Sequence, residues 1–168
     1  MAGLQIITFD VNGTACALRR EQVRELLPLP RLWRPPALPR PVAGFFNLGG
    51  KAVPVIRLDV LFGLESKQED GEAALYRHMI LVQLPGREEP LALLADRVLD
   101  VATIAGSQLS PVREGSSLNG CVEAEITLGS RLVHLLSLER LLFAQEQQAL
   151  AELGRHAQSR LGEWTVPA

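Results

Sequence analysis

The side chains best equipped for chemistry are few in this 168-residue sequence: His78, His134 and His156, with Cys16 and Cys121. None of the histidines stands at ligand spacing from another or from a cysteine, which argues against zinc. His134 lies inside an apolar run, so it reads as a structural or surface-facing imidazole rather than a base. Both cysteines sit in apolar, strand-like contexts and read as small buried hydrophobes in a reducing compartment, not as a disulfide. Asp96 and Asp100 share one face if the segment is a strand, but a paired-carboxylate site needs a third element and none is evident. The chain has no phosphate-binding glycine loop, no nucleophile elbow and no zinc-protease helix motif. The expectation is a protein that is not an enzyme and uses no cofactor or metal.

Composition narrows the class further. The formal net charge is −2, with 47% apolar and 21% charged residues. General nucleic-acid binding normally shows a basic excess, which is missing here. No apolar run approaches the roughly 20 residues needed to span a bilayer. The start, MAGLQIITFD, lacks a basic region followed by a hydrophobic one, so no signal peptide is read there and a cytoplasmic location is expected. The length suits one domain or two small subdomains.

Residues that cannot do chemistry must be positioning something else, and the clearest positioning element is Val42 to Leu64. Val42 to Leu48 reads as a strand, Gly49-Gly50 as a tight turn, and Lys51 to Ile56 as the return, with Pro54 marking an edge or a bulge. Leu58, Leu61 and Phe62 then make one amphipathic turn that Gly63 ends. Leu4 to Val11 and Thr14 to Leu18 form a hairpin across Asn12-Gly13. From Arg19 the spacing of Val23, Leu26 and Leu27 predicts a helix up to Pro28. Residues 28 to 41 hold six of the eleven prolines; they read as a rigid connection pinned by Trp33, in preference to a ligand for an SH3-type partner. Glu65 to Ala74 is expected to be a solvated loop.

The second half repeats the plan. His78 to Leu84 and Pro90 to Ala95 are strands, Asp96 to Ile104 continues, and a polar loop covers Ala105 to Asn119. Gly120 to Leu128 pairs with Arg131 to Leu136 across Gly129-Ser130, and Ser137 is expected to cap a helix carrying Leu138, Leu141 and Leu142 inward. Beyond it, Leu150, Leu153, Ala157 and Leu161 form a helical stripe that should dock on its own barrel.

The halves align residue by residue. At an offset of 80, Val53, Val55, Ile56, Leu58, Leu61 and Phe62 match Val133, Leu135, Leu136, Leu138, Leu141 and Leu142. At an offset of 75, Ile6, Phe9, Ala17, Leu18, Val23, Glu25 and Leu26 match Leu81, Leu84, Ala92, Leu93, Val98, Asp100 and Val101. The duplication predicts a mainly β fold of two similar barrels, each of about five short strands and closed to remove edges, meeting along a groove. The expected division places the first barrel at 12–75, the second at 76–136 with the N-terminal strand 4–11, and a C-terminal helix at 137–161, all within one domain.

Several of these runs also resemble the CheW family, the bacterial chemotaxis coupling proteins. Val42-Ala43-Gly44 through Asn47-Leu48-Gly49-Gly50, then Val53-Pro54-Val55-Ile56-x-Leu58, is similar to the family's signature hairpin. Val23-x-Glu25-Leu26 resembles its V-x-E-I segment, Leu94-Ala95-Asp96-x-Val98-x-Asp100-Val101 its V-D-x-V-x-D-V strand, and Leu138-Glu139-x-Leu141-Leu142 its ending. The resemblance covers roughly residues 4 to 143. It implies two intertwined SH3-like five-stranded β-barrels with short helices and a C-terminal helix, acting as a non-enzymatic adaptor. The implied partners are the regulatory domain of a CheA-type histidine kinase and the cytoplasmic tips of chemoreceptors, with no nucleic acid, no membrane insertion and room for self-association. Carried onto this sequence, the partner-binding positions are Val23, Glu25, Gly44, Val98 and Val101, with Asn47 and Gly49 in the hairpin near the receptor groove.

Two positions depart from the family pattern: Gly49 stands where it has Arg, and Arg57 where it has Asp. The loss of an arginine suggests a divergent adaptor with a different receptor, kinase or pathway; the plainer reading is that Gly49 serves hairpin geometry alone. A second class of function is a general β-barrel module for peptides or single-stranded nucleic acid. It needs exposed aromatics, whereas Phe9, Phe45, Phe46 and Phe62 sit in patterns that suggest burial.

Overall fold

The structure, a computed structural model, describes residues 3–64, 77–112 and 120–164. The expected loop at 65–74 and the 113–119 part of the polar loop lie outside the described residues. Strand β1 (Leu4–Val11) and β2 (Thr14–Arg19) form the first hairpin. Asn12 and Gly13 both take positive φ, 48° and 88°, the geometry whose twist matches the flanking strands. The turn is tied down from outside: the Asn12 N–H donates to the Asp96 carboxylate, and its side-chain amide donates to the Leu64 carbonyl. Next come β3 (Val23–Pro28), β4 (Val42–Leu48), β5 (Lys51–Arg57) and the short helix α1 (Leu58–Leu61). The second half supplies β6 (His78–Val82), β7 (Leu91–Ala95), β8 (Arg97–Ile104), β9 (Leu109–Pro111), β10 (Val122–Leu128), β11 (Arg131–Leu136) and helix α2 (Ala144–Glu163).

These strands make two sheets, in the orders β8-β1-β2-β11-β10-β9 and β3-β6-β7-β5-β4. The expected division at residue 75 already gives the N-terminal strand 4–11 to the second barrel; in the sheet order β2 goes there with it, and β6 and β7 go with the strands of the first. The hairpin β1–β2 of the first half lies among strands of the second, and β6–β7 of the second lies among strands of the first. Each half therefore lends its opening hairpin to the other's sheet, which intertwines the two. The seams where the lent hairpins join are the parallel pairs, Cys16 with His134 and Ala92 with Val55. A tight turn cannot make a parallel pair, so local sequence could not reveal these seams.

Along β1, β2, β5, β6 and β7 successive buried residues go to different cores. Ile6, Ala17, Val133 and Leu135 face a core private to the six-stranded sheet, joined by Ile104 and Ile126. Phe46, Val53, Val55, Met79, Leu81 and Leu94 face a core private to the other sheet. Ile7, Phe9, Leu18, Phe45, Ile56, Ile80 and Leu93 face the core between the two sheets. The duplicated positions respect this sorting: Ala17 and Ala92 face private cores, whereas Ile56 and Leu136, or Leu58 and Leu138, face the shared one.

The private core also requires the six-stranded sheet to curl. Laid flat, its outer strands β8 and β9 would lie about 24 Å apart at the usual strand spacing. The chain from Ile104 to Leu109 reaches at most about 18 Å even fully extended. It is shorter still in fact, since Gly106–Gln108 is a 3-10 turn. The two edges must approach each other, and Ile104 and Leu109 accordingly reach the same core.

Three local expectations are overturned. The helix read from Arg19 to Leu27 is instead a 3-10 turn at Arg20–Gln22 followed by β3. One turn's worth of helical spacing loses to a ladder with β6, in which a bulge between Val23 and Glu25 resets the faces. Pro54 is at neither an edge nor a bulge, because β5 is paired on both sides. Phe45, opposite Pro54, gives both its backbone groups to Trp33, so the Pro54 nitrogen faces β7, whose register begins only at Val55. No ladder bond is lost. Lastly, Ser137 makes no side-chain cap: Leu138–Arg140 is a 3-10 turn, and α2 starts separately at Ala144, where the Glu146 carboxylate accepts the Phe143 N–H at 2.7 Å.

The proline-rich connection is pinned as expected. Trp33 makes an isolated antiparallel bridge with Phe45, with reciprocal N–H to carbonyl bonds of 2.8 Å. Helix α2 docks on its own chain, burying Leu150 and Ala157 in the shared core with Leu153 against it. Gly154 lies on the same buried face, yet no heavy atom outside the local helix lies within 4 Å of where a Cβ would sit. Gly154→Ala is therefore expected to stabilise the protein by about 0.5–1 kcal/mol through helix propensity; a lowered denaturation midpoint would overturn this.

Cys16 and Cys121 are both buried. Burial, helped by Asp10, pushes the Cys16 thiol up to about 12, and burial pushes Cys121 up to about 11 with Glu146 adding to it. The unfolded chain releases these protons near the ordinary value of 9.0. The stabilisation is thus complete below pH 9 and is lost as pH rises from about 9 towards 11 and 12. Titration with an aromatic disulfide reagent at pH 8 should label neither thiol in the native protein and both in denaturant.

Candidate functional site

The seven residues singled out from sequence fall on the three strands β3, β4 and β8 or the turn after β4, and all three strands lie at sheet edges. Strands β3 and β4 bound the five-stranded sheet, and β8 is one edge of the six-stranded sheet. Edge strands carry unpaired backbone groups and present a ready template for a partner. The seven do not form one cluster; they mark two related edges and one hairpin.

On β3, Val23 opens the strand opposite Val82 and is 5% exposed, part of the shared core. Glu25, just past the bulge, is exposed. On β8 the matched residues repeat the arrangement. Val98 pairs with Phe9 beside a bulge and packs partly against the shared core. Asp100 is exposed, and its carboxylate accepts the Val101 N–H at 2.8 Å. Val101 is 53% exposed, an apolar side chain in solvent on a strand that is a sheet edge among the described residues. Each edge thus carries a valine packed against the shared core, fully buried at Val23 and half-buried at Val98, and an exposed carboxylate two residues on.

The hairpin positions play different parts. Gly44 is buried at a bulge in β4, with φ +153°. A Cβ there would meet the Trp33 carbonyl oxygen at 2.7 Å, so glycine is required by close approach of the proline-rich segment. Asn47 is exposed, and its Oδ1 accepts the Gly50 N–H at 2.8 Å, closing the turn. Gly49 sits at the tip with φ +58° and nothing within 4 Å of a Cβ position. Helix α2 clamps this hairpin: Gln158 accepts from the Ala52 N–H at 2.9 Å and donates to the Gly50 carbonyl at 3.0 Å. Arg57, the other departure, forks onto Asp59 at 2.9 and 3.3 Å, so its charge is engaged at the start of α1.

A match to the family model of the CheW-like domain spans residues 5–146. The chain belongs to the CheW-like family. Among CheW relatives, one from Rhizobium etli, "Probable chemotaxis protein CheW", is 28% identical over 151 residues, covering 86% of this chain and 91% of the relative. The "Chemotaxis protein CheW" of Rhizobium meliloti is 25% identical, covering 88% and 92%. The crystal structure of the scaffolding protein TtCheW from Thermoanaerobacter tengcongensis matches with a TM-score of 0.75 at 21% identity, covering 87% of this chain and 92% of that one. That likeness places the two sheets and the C-terminal helix within the CheW fold.

Some sequence readings of this CheW-like chain gain definition from the geometry. Phe9, Phe45 and Phe46 are buried and Phe62 is half-buried, which leaves them no role as a base-stacking platform. His134 is half-buried on β11, its Nδ1 3.9 Å from Glu125 on the paired strand. Among the described residues no group of three or more His, Cys, Asp or Glu could hold a metal, and no helix is long and apolar enough to cross a membrane. What the sequence did not disclose is the surface around Trp33. There α2, the proline-rich segment and the hairpin enclose an open pocket of ≈ 350 Å³. The hint available was that two of its four aromatics, Trp33 and Trp164, are the only tryptophans in the chain.

Proposed function

We propose that this CheW-family chain is a non-catalytic adaptor that couples the cytoplasmic tips of chemoreceptors to the regulatory domain of a CheA-type histidine kinase. The observation that carries the reading is the pair of matched, exposed edge strands β3 and β8 on a CheW-like fold. Two edges on different sheets give one small protein two separate faces, which is what bridging requires. Glu25 and Val101 are the proposed contact residues, exposed on those edges, while Val23 and Val98 hold the strands in register from within. The adaptor works in the cytoplasm and is drawn to the membrane through the receptors it binds.

The test is co-purification of the full chain with candidate kinase regulatory domains and receptor tips. Glu25→Lys and Val101→Glu are each expected to weaken one partner about tenfold while leaving the melting temperature unchanged, since exposed edge residues carry binding more than stability. Retention of neither partner by the unmutated chain would sink the reading.

The turn at Gly49 sets this adaptor apart. An arginine there would have room but would be held at φ +58°, a strain of about 1 kcal/mol. Gly49→Arg is expected to lose about that much stability and to tighten binding to the receptor tip by about tenfold or more through charge-assisted hydrogen bonds. Unchanged affinity for every partner would mean that Gly49 serves hairpin geometry alone.

A further inference from the structure

We propose that the trough between the proline-rich segment, the β4–β5 hairpin and the C-terminal half of α2 binds an acidic, apolar peptide segment of a partner protein. Its floor and walls include Phe46, Ala157, Leu161 and the two tryptophans. Trp33 is 39% exposed and Trp164 is 78% exposed, although tryptophan is among the side chains that gain most from being covered. A second open pocket of ≈ 400 Å³ adjoins the first through Trp33 and Arg160 and adds Arg34 and His156 to the rim. Exposed tryptophan beside arginine is the composition of binding hot spots.

Charge decides the partner's chemistry. The charged side chains that line the two pockets are Arg34 and Arg160 against Glu163. The chain as a whole carries −2, so this local excess runs against the molecule's own sign. Arginine's planar fork matches carboxylates in paired hydrogen bonds, while the apolar floor takes Leu-, Phe- or Trp-like side chains. A polyphosphate backbone is disfavoured because the chain offers no extended basic field to hold one.

The trough is also preorganised. Trp33 is fixed to Phe45 by its two backbone bonds, its ring lies 5.9 Å from that of Phe45, and the Arg160 guanidinium stands 5.8 Å from the indole centroid. Gln158 locks α2 to the hairpin on the other side. A partner therefore meets a formed surface, which lowers the ordering cost of binding. The site shares Asn47 with the receptor-side hairpin positions but uses neither exposed edge residue of β3 or β8, so its failure and the failure of the adaptor reading can be told apart: loss of kinase or receptor binding through Glu25 or Val101 leaves this prediction standing.

A random dodecapeptide display library panned on the immobilised full chain, with the Arg34→Glu/Arg160→Glu double variant as counter-target, provides the probe. Selected peptides are expected to pair Asp or Glu with Leu, Phe or Trp. Because both tryptophans line the trough, intrinsic fluorescence reports on it directly. A synthesised, tryptophan-free winner should give a saturable blue shift, with affinity about tenfold weaker in the double variant and lost in Trp33→Ala and Trp164→Ala, circular dichroism remaining unchanged in Trp164→Ala. The proposal is overturned by any of three results: selected peptides that are basic or bind the double variant equally well; a fluorescence response to oligothymidylate but not to acidic peptides; or a concentration-dependent shift of the chain alone with a dimer mass, which would assign the face to a second copy.

Discussion

Replacing Gly44 by alanine is expected to destabilise the protein by about 3 kcal/mol, combining backbone strain with overpacking. Two independent facts set that magnitude. The backbone at Gly44 is at φ +153°, and the added methyl would lie 2.7 Å from the Trp33 carbonyl oxygen and 3.0 Å from Leu32 Cβ. Neither neighbour can retreat freely, because the Trp33 carbonyl accepts the Phe45 N–H at 2.8 Å while the Trp33 N–H donates to the Phe45 carbonyl. Relief requires breaking that bridge and lifting the proline-rich segment from β4. Denaturant unfolding should show the loss, and native Trp33 fluorescence should shift to the red as the indole leaves Phe45. A loss below about 1 kcal/mol would show that the segment yields easily. The outcome also bears on how Gly44 would affect partners: a partner-binding defect at this position is expected to follow from displacement of the Trp33 segment, not from loss of a direct contact, since the glycine is buried.

Removing residues after Phe143 is expected to have a comparable or larger effect. Helix α2 covers the junction where Val42, Ile56, Leu61 and Leu142 come to the surface of the shared core. It buries Leu150 to 3% and Ala157 to 2% exposure. At 1.5–3 kcal/mol for fully burying a leucine, with Leu153 and the Gln158 clamp in addition, the helix contributes roughly 4 kcal/mol. That is a large share of the 5–15 kcal/mol that holds a typical domain folded. The truncated chain should melt at a lower temperature and bind a hydrophobic dye. Leu150→Ala, which keeps the helix, should lose about 2–4 kcal/mol by the same burial. Unchanged stability with an altered oligomeric state would instead assign α2 to a contact between chains.

The two predictions concern segments of different legibility. The stripe of Leu150, Leu153 and Ala157 announces docking in the sequence, because helical periodicity is local and an apolar face has few places to go. Gly44 announces only a glycine. The close approach that demands it comes from Trp33, eleven residues away, through a bridge that no periodicity encodes. The partner-binding positions divide likewise. Val23 and Val98 could be matched by repeat, and both prove to anchor edge strands; that Glu25 and Val101 stand in solvent on sheet edges among the described residues follows from strand order alone. The trough around Trp33 was out of reach, because it is assembled from residues 33, 46, 157 and 164, which become neighbours only in the fold.

By itself the sequence determined the turns, the repeat and the sorting of side chains. Asn12-Gly13 and Gly49-Gly50 adopt the positive φ angles that their residue types favour, and matched residues of the two halves lie in corresponding cores. These are short-range properties: a turn depends on its own dihedrals, and a strand's alternation says which face a side chain takes. Alternation does not say which strand lies alongside. The exchange of hairpins between the halves, the conversion of residues 23–28 from apparent helix to edge strand, and the toleration of Pro54 inside a central strand were decided by ladders between distant segments. Backbone hydrogen bonds in a sheet come from whichever strand tertiary packing delivers. Among the described residues that delivery leaves β3 and β8 as sheet edges, the faces proposed above for partner contact.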